Sequence, residues 1–334
     1  TVMSAEEFSR IKRQVDNALG SHVQVLTLTW AQPYQVACMG MTAAFTFGYD
    51  EEYCAYPCER TKPSPYYYSA SRRPYTDFGF RPTMMLAATS LEQAIALIER
   101  GIRADSTMPY RDSKALLVAT RDKHRNIRKT YFDDIYMRFD RWLDVVIKHG
   151  NKVKNYDDVL FYFTGATQIR HLDTINFLPG AMADHLTSYG GKLTDSPQMS
   201  ILQWLEHGAT GSYGTAIEPC SVLAKFPNPS VAMWHYFRGA SLIEAYWKSV
   251  RMPGQGNFVG EPLAAPFRGY RLSIEGSKLI VTSPLLRPGR YRIFAANSLV
   301  DEEVLLERQT VNENKVRIEI SRPIRARYRI EAIY

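Results

Sequence analysis

The sequence predicts an α/β body, with helices on both faces of a mostly parallel sheet, followed by a small antiparallel β-sandwich. Three observations carry this expectation. Apolar runs of strand length alternate with amphipathic helical segments over residues 1–268. From Tyr270 onward the apolar period changes to two. The chain has 334 residues, above the usual size of one domain, so a body (1–268) and a tail module (269–334) are expected.

In the body, Phe8, Ile11, Val15 and Leu19 recur at helical spacing, and Ser4 with Glu7 forms a capping-box pattern, which predicts a helix over Ser4–Leu19. Val23–Trp30 reads as a buried strand rich in Val, Leu and Thr. Residues 45–82 are dominated by Tyr, Pro, Ser and Arg without a sustained period, which predicts a long surface excursion of the kind that serves binding or forms a lid. Ser90 then caps a helix carrying Leu91, Ala94, Ile95, Leu97 and Ile98, with Gly101 near its end and a strand over Ala115–Thr120. Ile135, Phe139, Trp142, Leu143 and Val146 predict a second helix from Phe132 to Lys148, stopped by Gly150.

The run Val159-Leu160-Phe161-Tyr162-Phe163 has the continuous apolar character of a parallel strand covered on both faces, and Thr164-Gly165 marks its carboxyl end, where α/β folds place chemistry. A helix over Met199–His207, a strand over Gly208–Ile217, paired helices over Ser230–Val250 with a Ser241/Glu244 capping box, and a short strand at Phe258–Pro262 extend the alternation. In the tail, Arg271–Ile274, Lys278–Val281, Tyr291–Phe294, Lys315–Ile320 and Tyr328–Ile330 read as antiparallel strands joined by turns such as Arg287-Pro288-Gly289.

The net charge is +7, of which the tail holds +4 from 12 basic against 8 acidic residues. This permits weak attraction to anionic surfaces, but there is no zinc-finger, basic-zipper or aromatic ribonucleoprotein signature, and specific nucleic-acid binding is not expected. The tail arginines alternate with apolar residues, as on the solvated face of a strand. No window is apolar for long enough to form a transmembrane helix, and Thr1-Val2-Met3-Ser4 carries no signal core, as expected of an exported chain after signal removal. Of the four cysteines, Cys54 and Cys58 lie in the Tyr/Pro-rich stretch Tyr53–Pro65, where either a short bridge, implying an oxidising compartment, or two free thiols are expected. With no further His or Cys close in sequence, no metal is expected, nor any cofactor. Cys38 ends an apolar run and reads as a small core residue.

Three strings carry a resemblance: Leu178-Pro179-Gly180-Ala181-Met182-Ala183-Asp184-His185-Leu186-Thr187-Ser188, Gly208-Ala209-Thr210-Gly211-Ser212-Tyr213-Gly214-Thr215-Ala216-Ile217-Glu218-Pro219 and Gly260-Glu261-Pro262-Leu263-Ala264-Ala265-Pro266-Phe267. Together they resemble an uncharacterised family of exported bacterial proteins from genomes with exosortase sorting systems, in which Gly-Asp-Pro-Leu is common where this chain has Gly260-Glu261-Pro262-Leu263. Their order and spacing also resemble the C-terminal half of the caspase and gingipain fold, in which an immunoglobulin-like module follows the catalytic domain. The resemblance implies a caspase-like body with a His after one parallel strand and a nucleophilic Cys after the next.

Two placements of that pair follow. If Val159–Phe163 is the His-bearing strand, Gly165-Ala166-Thr167 replaces the usual Gly-His-Gly, His185 falls near the position of the Cys, and the peptidase is dead. In the related exported sequences Tyr stands where Cys220 does here, which favours this placement. If the strand before His185 bears the His, the pair is His185 with Cys220, and the protein is a cysteine-peptidase-like hydrolase.

Taken by themselves, the residues allow plainer roles. His185 suits acid/base work or a satisfied buried imidazole. Cys220 suits a buried or bridged thiol ahead of a nucleophile. Asp184 could orient His185 or cap a turn, Ser188 is a turn hydroxyl without a Gly-x-Ser-x-Gly elbow, and Glu218 anchors its loop. Arg121–Arg128 reads as a solvated basic loop ahead of a site for an acidic ligand near the same edge, and Tyr66-Tyr67-Tyr68 with Arg72-Arg73 as either a peptide or polysaccharide surface or a packed rigid loop. The expected function is non-catalytic binding of a protein, peptide or envelope polymer outside the cytoplasm. The alternatives are the hydrolase and a structural, self-assembling envelope component.

Overall fold

The computed structural model describes residues 2–55, 58–107, 111–283, 286, 288–298, 301–320, 325 and 327–333. The chain divides into two compact units, Thr1–Ala104 with Pro109–Phe267, and Asp105–Met108 with Arg268–Tyr334.

The first unit opens with β1 (Val2–Met3) and α1 (Ala5–Ala18), where the Ser4 hydroxyl accepts from the Glu7 amide as a helix cap. There follow β2 (Leu26–Leu28), β3 (Gln35–Val36), β4 (Met39–Gly40), α2 (Met41–Phe47), α3 (Pro74–Phe78), β5 (Thr83–Met85) and α4 (Leu91–Ala104). Next come β6 (Arg111–Ala119), α5 (Phe132–Phe139), β7 (Leu143–His149), β8 (Tyr156–Thr164), β9 (Ile175–His185) and α6 (Leu202–Glu206). The unit closes with β10 (Gly211–Thr215), α7 (Pro229–Phe237), α8 (Leu242–Ser249) and β11 (Gly256–Gly260), and both halves of the Ser241/Glu244 capping box are formed.

The main sheet has eight strands in the order β2-β5-β11-β10-β9-β8-β6-β7, and β1, β3 and β4 form a small separate ribbon. All neighbours in the main sheet run parallel except β10 and β11. Side chains alternate between two apolar layers, as the strand period demands. Leu117, Phe161, Phe163, Met182, Tyr213 and Phe258 face α5, α7 and α8. Leu116, Val118, Tyr162, Ala183 and Val259 face α1, α2, α4 and α6. The body is therefore a mixed α/β fold, a large and mostly parallel sheet flanked by helices. Among the described residues, no helix is long and apolar enough to cross a membrane.

Three expectations are corrected. The helix expected over Phe132–Lys148 stops at Phe139, and Leu143–His149 is instead the edge strand β7, paired with β6. Leu143 and Val145 are buried while Asp144 is exposed, a period of two that the β-branched pair Val145-Val146 fits better than a helix does. The excursion over residues 45–82 does not stay on the surface. Phe45 lies within α2, and Tyr53, Tyr66 and Phe80 are buried, with the Tyr66 ring edge-on to Phe78 and Phe80. Finally, Cys54 and Cys58 do not bridge each other. Cys54 pairs with Cys38, which is thus not a lone core thiol, and Cys58 pairs with Cys220, 162 residues away. Tyr56 and Pro57, inside the stretch read as irregular, lie outside the described residues.

The second unit contains β12 (Arg271–Glu275), β13 (Lys278–Thr282), β14 (Gly289–Ala296), β15 (Val304–Val311), β16 (Lys315–Glu319) and β17 (Arg327–Ile333). They form two antiparallel three-stranded sheets, β12-β13-β16 and β15-β14-β17. Val281, Val316 and Ile318 from one sheet share a small core with Tyr291, Ile293 and Val311 from the other. The period-two reading passed over β15, whose Val304-Leu305-Leu306 run is exposed and does not alternate. Arg287 of the expected Arg287-Pro288-Gly289 turn lies outside the described residues.

Non-reducing peptide mapping of the folded protein is expected to recover Cys38 linked to Cys54 and Cys58 linked to Cys220. A Cys54–Cys58 peptide would contradict the fold.

Candidate functional site

Four adjacent parallel strands end along one edge of the sheet: β6 at Ala119, β8 at Thr164, β9 at His185 and β10 at Thr215. The loops after them build the candidate site, the usual location for a ligand in a parallel sheet. A cleft of about 340 Å³ opens there, with Arg125, Thr187, Ser188, Glu218, Cys220 and Phe226 in its wall.

The wall is held from beneath by Arg128, which reads in sequence as one residue of a solvated basic run. In the structure it is 1% exposed, and its guanidinium is ion-paired with the carboxylate of Asp184, itself 1% exposed. Nη2 of Arg128 also donates to the Thr164 carbonyl at 2.6 Å, so one side chain ties the loop after β6 to the ends of β8 and β9. Gly165 makes this approach possible, because any Cβ there would collide with the carbonyl of Arg125. The Thr120 hydroxyl donates to the Gly165 carbonyl at 2.6 Å. Burial pushes the Asp184 carboxyl up to about 6 although Arg128 opposes the shift.

Asp184 and His185 are consecutive on a strand and so point to opposite faces. Asp184 therefore does not orient His185, and among the described residues it caps no turn. On the α6 side, the Trp204 indole N–H donates to His185 Nδ1 at 2.9 Å, which leaves the proton on Nε2, donated to the Met199 carbonyl at 3.1 Å. Both ring nitrogens are thus occupied, the ring is 1% exposed, and burial draws its pKa down to about 4. A histidine depressed in this way favours the folded state fully above its ordinary pKa of 6.5, and its contribution is lost as pH falls toward 4. Asp184 acts in the opposite sense between its ordinary 3.8 and about 6, where ionisation is the costly event.

In the cleft, Arg125 Nε donates to the Thr187 hydroxyl at 3.1 Å, and its Nη1 pairs with Asp122 at 2.9 Å. Thr187 in turn donates to Gln198 at 2.7 Å. Glu218 accepts from the Cys220 amide at 2.9 Å, the loop-anchoring role expected of it. Cys220 has φ +54° and its partner Cys58 has φ +69°, a left-handed backbone that costs a non-glycine residue about 1–2 kcal/mol and that the bridge helps to hold. Ser188 reaches the cleft wall, and its carbonyl accepts from the Thr215 hydroxyl at 2.9 Å.

The structure thus brings Ser188, Glu218 and Cys220 to one cleft and keeps His185 and Asp184 out of its wall. The Cys220 sulfur is bonded to Cys58 and has no thiol to activate, so no His185/Cys220 dyad is assembled. Sequence reasoning held Arg125 and Arg128 only as members of one basic run, since no periodic signal separates them from the exposed charges around them, and it missed Trp204 with Met199, whose roles depend on packing from a different element. It also missed Lys225, which is fully buried, with no hydrogen-bond partner for its Nζ among the described residues, and whose pKa burial draws down to about 8. No protein-family model, curated protein or solved structure matches the chain.

Nitrogen-detected NMR is expected to find His185 as the Nε2–H tautomer at neutral pH, with a titration midpoint near 4. A midpoint near 6.5 would mean that the imidazole is solvated. Arg128→Met should destabilise the fold by about 3–5 kcal/mol at pH 8, because it strands a buried carboxylate. The loss, read by chemical denaturation, should shrink at pH 5, where Asp184 can take a proton.

Proposed function

We propose that this protein is an exported ligand-binding protein whose caspase-like body no longer carries out peptidase chemistry. The observation that carries this reading is the state of the two groups a dyad would need. The Cys220 sulfur is held in a bridge to Cys58, and both nitrogens of His185 are spent inside the α6 layer. A thiolate nucleophile needs a free, electropositive, partly exposed sulfur, and acid/base work needs an imidazole with a nitrogen to offer. What remains at the edge is an open cleft with fixed polar walls, which suits recognition without turnover.

The finer resemblance draws support from the topology. β8 and β9 are neighbouring parallel strands, so Gly165-Ala166-Thr167 and His185 fall at the two edge positions where the caspase and gingipain pattern puts its His and near which it puts its Cys. This favours the placement in which the imidazole has been replaced. Gly260-Glu261-Pro262-Leu263 closes β11, where the Glu261 carboxylate accepts from the Leu263 amide at 3.2 Å, and Gly101 on α4 leaves room for the Glu261 side chain. The two packed antiparallel sheets of the second unit suit an immunoglobulin-like module. Two disulfides suit an oxidising compartment, hence export to the periplasm, cell surface or medium.

The test is thiol reactivity. All four cysteines should resist a mild alkylating probe at neutral pH, both in the native protein and after unfolding without reductant, and a peptide library should remain uncut. Rapid labelling of Cys220 that His185→Ala slows would overturn the reading in favour of the hydrolase.

A further inference from the structure

Beside the cleft lies a second pocket of about 440 Å³ whose wall includes Arg60, Arg251, Tyr67, Tyr131, Ser221 and Asn228. The two share Ser221 and Phe226 in their walls. Arg60 and Arg251 are exposed, and among the described residues neither guanidinium meets a carboxylate or an aromatic face. The other arginines near this edge are already engaged, Arg125 by Asp122 and Arg128 by Asp184. No acidic side chain lines the pocket.

Its charged groups are both cationic donors. Asn228 spends its Oδ1 on the Ser230 and Val231 amides as the cap of α7, so its Nδ2 has no acceptor among the described residues. Tyr67 and Tyr131 add two aromatic rings to the same wall. Two free guanidiniums, spare amide and phenol donors, aromatic faces and no acid together make a complement to an anion carried on a ring.

We propose that this pocket binds an acidic saccharide, a sugar ring bearing a carboxylate or sulfate. The guanidiniums take the anionic group in fork geometry, and the tyrosine faces cover the C–H face of the ring. A peptide is less well served, because no strand lines the wall to pair with an extended backbone. The inference rests on the reading of the protein as a binder and names the ligand of that same edge.

The second disulfide belongs to this site. Arg60 lies two residues beyond Cys58, and Cys58 is bonded to Cys220, the neighbour of Ser221 in the pocket wall. The bridge therefore delivers Arg60 from a distant part of the chain to the pocket.

The experiment is calorimetric titration of the oxidised protein with an oligouronate and with a sulfated oligosaccharide, alongside a neutral oligoglucoside and oligoglutamate. Arg60→Ala, Arg251→Ala and the remote surface control Arg13→Ala are run beside the parent, with thermal melts to confirm folding. Binding of an acidic oligosaccharide that each pocket variant weakens by about tenfold, that the control leaves alone, and that rising salt reduces supports the proposal. The uronate and sulfate arms distinguish the two anionic groups. Cys58→Ser/Cys220→Ser should weaken binding as Arg60→Ala does. Equal binding of the neutral sugar, acidic-sugar binding indifferent to both arginines, or binding of oligoglutamate alone overturns the glycan proposal while leaving a binder. Cleavage of peptides with a labelled Cys220 would instead overturn the binder reading itself.

Discussion

The buried pair between Arg128 and Asp184 is the constraint on which the carboxyl edge depends. Two opposite charges almost without solvent are expensive to desolvate, so the pair adds little net stability, yet breaking it would leave one charge stranded. Its consequence is positional. Arg128 also holds the Thr164 carbonyl, so it ties the segment between β6 and α5 across the ends of β8 and β9. Gly165 completes the arrangement by offering no side chain where the backbone of Arg125 passes. Arg125 then points along the cleft wall toward Thr187.

The same edge explains why the residues that read as catalytic do not act as a set. A strand alternates its side chains, so Asp184 and His185 belong to different layers of the body and have different neighbours. His185 became part of a packing unit with Trp204, whose ring also lies edge-on to Tyr162 at 4.9 Å between centroids. Cys220 joined the chain segment that follows α2. The Cys58–Cys220 bridge anchors that Tyr- and Pro-rich segment from one end, while Tyr66 anchors it by burial in the α8-side layer. A segment poor in periodic apolar residues is held in this way by two covalent links and a few aromatic contacts.

Much of the fold was legible because burial imposes a period. The run around Val159–Phe163 had to be a strand covered twice, and Ser4 and Ser241 stand where helices begin. The misreadings have local causes. Trp142, Leu143 and Val146 match helical spacing by coincidence, and pairing with β6 decided for a strand. The exposed Val304-Leu305-Leu306 run of β15 gave no alternation to read. Part of the site was legible too: Glu218 in its loop, Gly165 at a strand end, and the carboxyl edge as the place to look.

By itself the sequence determined an α/β body with a β-rich tail, the order of most of its elements, and a set of candidate residues clustered after three strands. Those properties depend on near neighbours in the chain, where spacing and residue type suffice. Only the tertiary structure decided which cysteines pair, which face His185 occupies, and that one arginine of a basic run is buried while another lines a cleft. Each of these is a meeting between residues tens to hundreds of positions apart, from Arg128 with Asp184 to Cys58 with Cys220, and nothing in a local pattern encodes the partner. Chemistry at this edge follows from those meetings: a bridged sulfur, a satisfied imidazole and two unengaged guanidiniums beside aromatic rings.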